Sequence, residues 1–132
     1  MPEVTQARLG RVCRALGLQK IQRMPVVDSR APKMEMIYPP IHESAEWAVR
    51  AMEAAAAILR ERKESLDYTI ESYPDGWEVL PCHFVPDPRG GSRETDWTWA
   101  IDEATFPHRP FPAAVFLCLE QAVEAGAIGG DS

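Results

Sequence analysis

"LDYTIESYPDGWEVLPCHF", Leu66 to Phe84, is the stretch whose reading decides the fold. Leu66, Tyr68 and Ile70 alternate with Asp67, Thr69 and Glu71, the period of two expected of a half-buried strand. Pro74, Asp75 and Gly76 are hairpin turn residues, so Trp77 to Phe84 reads as the return strand, with Trp77 facing the core. Pro81 has no amide hydrogen for a ladder, which predicts a bulge or an edge position there. Beyond it "VPDPRGGS" (85–92) reads as a longer turn. "TDWTWAIDE" (95–103) follows as a third strand, with Trp97, Trp99 and Ile101 on one face and Asp96, Thr98 and Asp102 on the other.

Upstream of the hairpin the period is helical. "HESAEWAVRAMEAAAAILRERKES" predicts a helix over about Glu43 to Glu64, with Ser44 as its cap and Ala45, Ala48, Met52, Ala55, Ala56 and Leu59 as its inner stripe. Residues 4–21 place Val4, Ala7 or Arg8, Val12, Ala15 and Leu16 near one side of an earlier amphipathic helix, which Gly17 can end in the left-handed conformation. Between the two, prolines at 25, 32, 39 and 40 break every period, leaving a long connection with a short extended piece at Met34 to Ile37. A last helix begins at Pro112, where a missing amide hydrogen costs nothing, and Gly126 is placed to end it. Its first two turns are apolar all round, which implies contact with a sheet on one side and with a helix or a partner subunit on another.

The expected order is α-α-β-β-β-α: an α+β protein, as an α/β/α layered sandwich around a three-stranded antiparallel sheet. The expected organisation is a single domain over 1–128 and a disordered tail over 129–132. The chain has 132 residues, 45% of them hydrophobic and 26% charged, and one core suffices for that length. A net charge of −6 argues against affinity for long nucleic acid. No apolar run approaches a membrane span, and Met1 to Arg14 lack the apolar centre of a secretory signal, so a cytoplasmic location with no membrane partner is expected. Cys13, Cys82 and Cys118 are odd in number and widely spaced, which suits reduced thiols.

Three stretches together, "YPPIHESAEWAVRAME" (38–53), "GWEVLPCHF" (76–84) and "EATFPHRPFPAAVFLCLEQAV" (103–123), resemble the phage ABA sandwich domain family. The shared features are a proline and serine segment leading into a helix that bears Ala-Trp, here Glu46-Trp47-Ala48, then a strand opening with Trp77. A final helix starting Pro-x-Ala-Ile is matched by Pro112, Ala113, Ala114 and Val115. The resemblance covers most of residues 9–125. Two departures stand out: Gly17 is followed by Leu18 rather than Trp, and "FPHRPF" is an insertion before the last helix. The resemblance implies the helix, sheet, helix sandwich and a phage or prophage origin; it implies no reaction.

No catalytic constellation stands out. His42, His83 and His108 lack the spacing of a metal pair on one helical face, and Cys82 and His83 are strand neighbours that point to opposite faces. No phosphate loop or nucleophile elbow is present. No metal and no cofactor are expected, and binding is expected rather than catalysis. The start of a helix carries positive potential, so His108 and Arg109 just before one make an anion site. Arg89 and Arg93 in the preceding loop add charge, and Trp77, Trp97, Trp99 and Phe106 are aromatic groups that could stack a base, although alternation assigns Trp77 and Trp99 to the core. The expected protein is a homo-oligomer that sequesters a small nucleotide signal of a host. The alternative is a protein–protein interaction module of phage origin with no small ligand. Double-stranded RNA binding fits poorly, because the last helix opens Pro-Ala-Ala-Val rather than with lysines.

Overall fold

In a computed structural model the described residues are 4–23, 35–98 and 108–129. Helix α1, Gln6–Leu16, starts where the Thr5 hydroxyl accepts from the Arg8 amide and ends at Gly17, whose φ of 74° is left-handed. Strand β1, Ile21–Arg23, pairs antiparallel with β2, Glu35–Ile37, and Arg23 reaches across to Glu35. The extended piece expected near residues 34–37 is therefore present. It belongs to a second, two-stranded sheet, which corrects the single-sheet expectation.

Helix α2, Ala45–Glu61, is capped by the Ser44 hydroxyl, which accepts from the Trp47 amide. Its buried stripe is Ala48, Ala51, Ala55 and Leu59. Ala51 takes the place assigned to Ala45, which is exposed, and Met52 and Ala56 are half-buried. The stripe is thus narrower than a full amphipathic face, as small residues in close backbone contact allow. The helix closes with Lys63 at φ 60°, and the Glu64 amide donates to the Leu59 carbonyl. A left-handed position after a helix favours glycine, so Lys63→Gly should stabilise the protein by about 0.5–1 kcal/mol in urea unfolding.

Strands β3, Ser65–Tyr73, and β4, Gly76–Pro86, form the expected hairpin, with Leu66 opposite His83 and Tyr73 opposite Gly76. Trp77 and His83 direct their backbone groups toward the other edge of β4, and by the period of two Pro81 does the same. Among the described residues no strand lies on that edge between Trp77 and Phe84, so Pro81 removes no ladder bond.

Strand β5 is Ser92–Glu94, pairing with residues 84–86, and Asp96–Thr98 is a single 3-10 turn. The third strand therefore comes earlier than expected, and Trp97 is not on it. Gly90 and Gly91, at φ 104° and 72°, reverse the chain so tightly that pairing begins at once. The Trp97 indole then turns inward to donate to His83 Nδ1, ending the strand. Trp99, Ile101 and Asp102 lie outside the described residues, as do residues 130–132 of the expected tail.

Helix α3, Phe111–Glu124, is buried continuously from Ala114 to Glu120. It packs on β4, on α2 and on α1, so its all-round apolar turns are covered within the chain. Helix α2 packs on β3, and α1 packs on α2 and α3. Leu66, Val79, Pro81 and His83 are buried on the helix side of the sheet, while Asp67, Thr69 and Glu71 on the opposite face are exposed. The mixed α and β class holds. The expected placement of helices on both faces of the sheet is not found among the described residues. None of the described helices is long and apolar enough to cross a membrane.

Candidate anion-binding site

The segment before α3 is held on the edge of β4 by two backbone hydrogen bonds. The Trp77 amide donates to the Arg109 carbonyl at 2.6 Å, and the Arg109 amide donates to the Trp77 carbonyl at 3.1 Å. Gly76 makes this approach possible: a Cβ there would lie 2.6 Å from the Arg109 nitrogen, and its φ of 146° is one that L side chains rarely adopt. Asp75 in the hairpin turn bonds His108 Nδ1 at 2.6 Å, and the imidazole stacks on Tyr73 with ring centroids 3.9 Å apart. The bond to His108 holds the Asp75 carboxyl below its usual range. His108 thus ties the strap to the turn.

Arg109 behaves differently. Directly opposed residues of an antiparallel pair project to one face, so its side chain leaves the strap on the same side as the Trp77 indole. Its Nε and Nη1 are enclosed and have no hydrogen-bond partner among the described residues. Burial lowers the guanidinium pKa, and the charge of Arg8 pushes the same way.

Arg8 reaches this place from α1. It grips Glu120 of α3 with two bonds, Nε to Oε2 at 2.9 Å and Nη2 to Oε1 at 2.6 Å, and lies over the Phe116 ring at 5.4 Å. His42 stands on another side of Phe116, ring centroids 6.0 Å apart, with Nε2 3.3 Å from Glu43 Oε1. Its Nδ1 is buried with no partner among the described residues. Burial lowers the His42 pKa; Glu43 opposes that shift and Arg8 adds to it. Arg8 and His42 therefore both border Phe116, and the buried carboxylate Glu120 is engaged by Arg8.

Burying polar atoms without partners costs about 1–3 kcal/mol each, and more for a charged group, so native structures keep few of them. Arg109 Nε and Nη1 and His42 Nδ1 are such atoms among the described residues. Trp77 adds an aromatic wall. It is 37% exposed and meets Phe111 edge-on at 5.5 Å, which corrects its expected place in the core. At the start of its strand, Trp77 lies past the end of the buried run Val79, Pro81 and His83.

The other expected site residues lie elsewhere. Arg93 pairs opposite Val85, eight positions along β4 from Trp77, or roughly 26 Å at about 3.3 Å per residue. Arg89 is exposed in the turn beyond it. Neither can share a small ligand with Arg109 of the same chain. Trp97 is half-buried, its indole nitrogen engaged by His83. Phe106 lies outside the described residues. Of the expected set, His108 and Arg109 alone are brought together.

A second polar cluster has the look of a catalytic relay. His83 Nε2 lies 2.7 Å from Glu64 Oε1, and Thr95 Oγ1 lies 3.1 Å from Nδ1. The Trp97 indole, a donor only, points at the same Nδ1 from 3.0 Å. Nδ1 must therefore accept, and the proton sits on Nε2 and is donated to Glu64. With its acceptor nitrogen engaged by the indole, this imidazole cannot serve as a base toward Thr95. The cluster instead fastens β4 to the end of α2 and to the 3-10 turn.

All three cysteines are free. Cys82 donates to Glu94, and that carboxylate pushes the thiol up to about 11; burial pushes Cys13 up to about 11 and raises Cys118 further. None is an activated nucleophile. The described residues contain no group of three or more side chains suited to a metal ion.

Fold and site together define a mixed α/β protein in which the half-buried Arg109, on the Trp77 side of the strap, has two enclosed nitrogens without partners among the described residues. Family models, curated proteins and solved structures give no match to the chain.

Proposed function

We propose that this is a non-enzymatic binding protein that holds a small nucleotide-class anion, with phosphate at Arg109 and a base against Trp77. The observation that carries this reading is the enclosed Arg109 guanidinium, with Nε and Nη1 unpartnered among the described residues and Arg8 beside it. A phosphate would supply the acceptors that Nε and Nη1 of Arg109 lack among the described residues. Stacking on an exposed aromatic ring adds about 1–3 kcal/mol per base. The resemblance of residues 38–53, 76–84 and 103–123 to phage ABA sandwich proteins supports a phage or prophage origin. On that reading the protein works in the host cytoplasm as a homo-oligomer that sequesters a nucleotide signal of a host defence. Arg89 and Arg93 enter such a site only from a second copy, because within one chain they lie at the far end of β4.

One observation favours the interaction module as a second reading. Ile70 and Trp77 are both exposed on the same face of the hairpin, where they offer a small apolar patch to a protein partner.

Thermal unfolding against cyclic di- and trinucleotides, ADP-ribose and inorganic phosphate tests the proposal, since a ligand raises stability by RT ln(1 + [L]/Kd). Arg109→Met should abolish the nucleotide shift. It should also raise the stability of the unliganded protein by about 1–3 kcal/mol, on the order of 3–10 °C in Tm, because two enclosed nitrogens without partners are replaced by an apolar chain of similar length. A panel without any shift, or a variant that binds like the parent, would sink the reading. Recovery of an altered nucleotide after heat release would make the protein an enzyme.

A further inference from the structure

The charges of this chain are sorted by surface. Directly opposed residues of an antiparallel pair project to one face, so the side of the sheet turned away from the helices carries Asp67, Glu71, Glu78 and Glu94. Arg93, the one Lys or Arg in the three strands, pairs opposite Val85 and takes the helix side. Glu71 and Glu78 stand directly opposite each other, an arrangement of like charges that destabilises a sheet. Glu94 accepts from the Cys82 thiol at 2.6 Å, and Asp67 lies opposite Cys82. The two pairs of acids are about 13 Å apart, four positions along β4 at ~3.3 Å each, with the half-buried Leu80 between them. None of the four carboxylates meets a cation among the described residues.

Residues 4–23 are sorted the other way, with Arg8, Arg11, Arg14, Lys20 and Arg23 and no Asp or Glu. Three of these are paired within the chain, to Glu120, Glu124 and Glu35. Arg14 and Lys20 are exposed and meet no carboxylate among the described residues. Both gather on Tyr38: Arg14 Nη1 donates to the Tyr38 hydroxyl at 2.9 Å, and Lys20 Nζ is 5.1 Å from the ring centroid. Gly10 makes room for that ring, since a Cβ there would lie 2.7 Å from Tyr38 Cε2. Met36, two residues before Tyr38, is 53% exposed.

The two surfaces cannot meet within one molecule. Helices α2 and α3 pack on the sheet, and α1 packs on α2 and α3, so α1 and the acidic face lie on opposite sides of the sheet. We infer that the acidic sheet face docks the Arg14, Lys20 and Tyr38 surface of a second copy, cations against the two acid pairs and Met36 toward Leu80. This rests on the homo-oligomer reading above and supplies its interface; nucleotide plays no part in it. Because the surfaces differ, the contact is head to tail, and it repeats from copy to copy unless it closes a ring.

Sedimentation velocity on the intact, ligand-free protein tests this. The parent should associate at low salt and lose at least about tenfold in affinity between about 0.05 and 0.5 M salt, as exposed charges are screened. Arg14→Glu with Lys20→Glu, and separately Glu71→Lys with Glu78→Lys, should each stay monomeric where the parent associates. Mixing the two variants should restore association, because each keeps the surface that the other has lost. In the parent, a zero-length carbodiimide should join Lys20 of an isotope-labelled copy to Glu71 or Glu78 of an unlabelled one, a readout that needs no variant to fold. A parent that stays monomeric up to about 1 mM overturns this inference and the homo-oligomer reading together, and leaves nucleotide binding standing. Association that ignores salt, variants that associate like the parent, a mixture that stays monomeric, or associated parent without that crosslink overturns this inference alone.

Discussion

Glu120→Ala is expected to destabilise the protein by about 3–5 kcal/mol, measured by urea unfolding followed by circular dichroism. Glu120 is 5% exposed and receives both bonds from the Arg8 guanidinium. Without it, Arg8 loses the carboxylate that accepts two of its hydrogen bonds, while the repulsion between Arg8 and Arg109 remains. Removing one cation should recover part of the loss. Glu120→Ala combined with Arg109→Met should be about 1–3 kcal/mol more stable than Glu120→Ala alone. A cost under about 1 kcal/mol for the single variant would show that the Arg8–Glu120 pair is effectively solvated.

Gly76→Ala is expected to cost about 2–4 kcal/mol and to weaken nucleotide binding at least tenfold. Its φ of 146° is strained for any L residue, and the added Cβ would meet the Arg109 nitrogen at 2.6 Å and its carbonyl oxygen at 2.9 Å. The two bonds between Trp77 and Arg109 would then open, releasing the strap that carries Arg109. Hydrogen exchange should show this as lost protection at the Trp77 and Arg109 amides. Gly90→Ala is the control, because Gly90 also has positive φ, 104°, yet nothing lies within 4 Å of a Cβ there. It should cost about 1–2 kcal/mol of backbone strain and leave those amides protected. Equal effects at the two glycines would mean that the close approach of the strap contributes nothing.

Much of this architecture is legible along the chain because its causes are local. Gly17 and Ser44 announce helix ends through the backbone groups they satisfy, and Pro74-Asp75-Gly76 announces the hairpin. The third strand was harder to place. Alternation around Trp97 and Trp99 suits a strand, but the Gly90-Gly91 reversal starts the pairing at Ser92, and the bond from Trp97 to His83 ends it. Trp77 misleads for a related reason: alternation says which face a side chain takes, not whether anything covers that part of the face. The site was only half visible. Arg109 stands out beside a helix start, but its neighbourhood depends on Arg8 and Glu120, which are 112 residues apart in sequence. Each leaves one weak trace, a charge at an inner helical position and a lone acid within an apolar run.

By itself the sequence determined the helices, the central hairpin and their ends, because propensity, capping and period act over a few residues. It also determined that α3 is enclosed, since a segment apolar all round has no solvent-facing side. Tertiary structure alone decided which charges became pairs and which stayed unpaired. Packing α1 against α3 gave Glu120 to Arg8, while Nε and Nη1 of Arg109 have no partner among the described residues. Those outcomes follow from burial and from distances between remote segments, which no local pattern along the chain encodes.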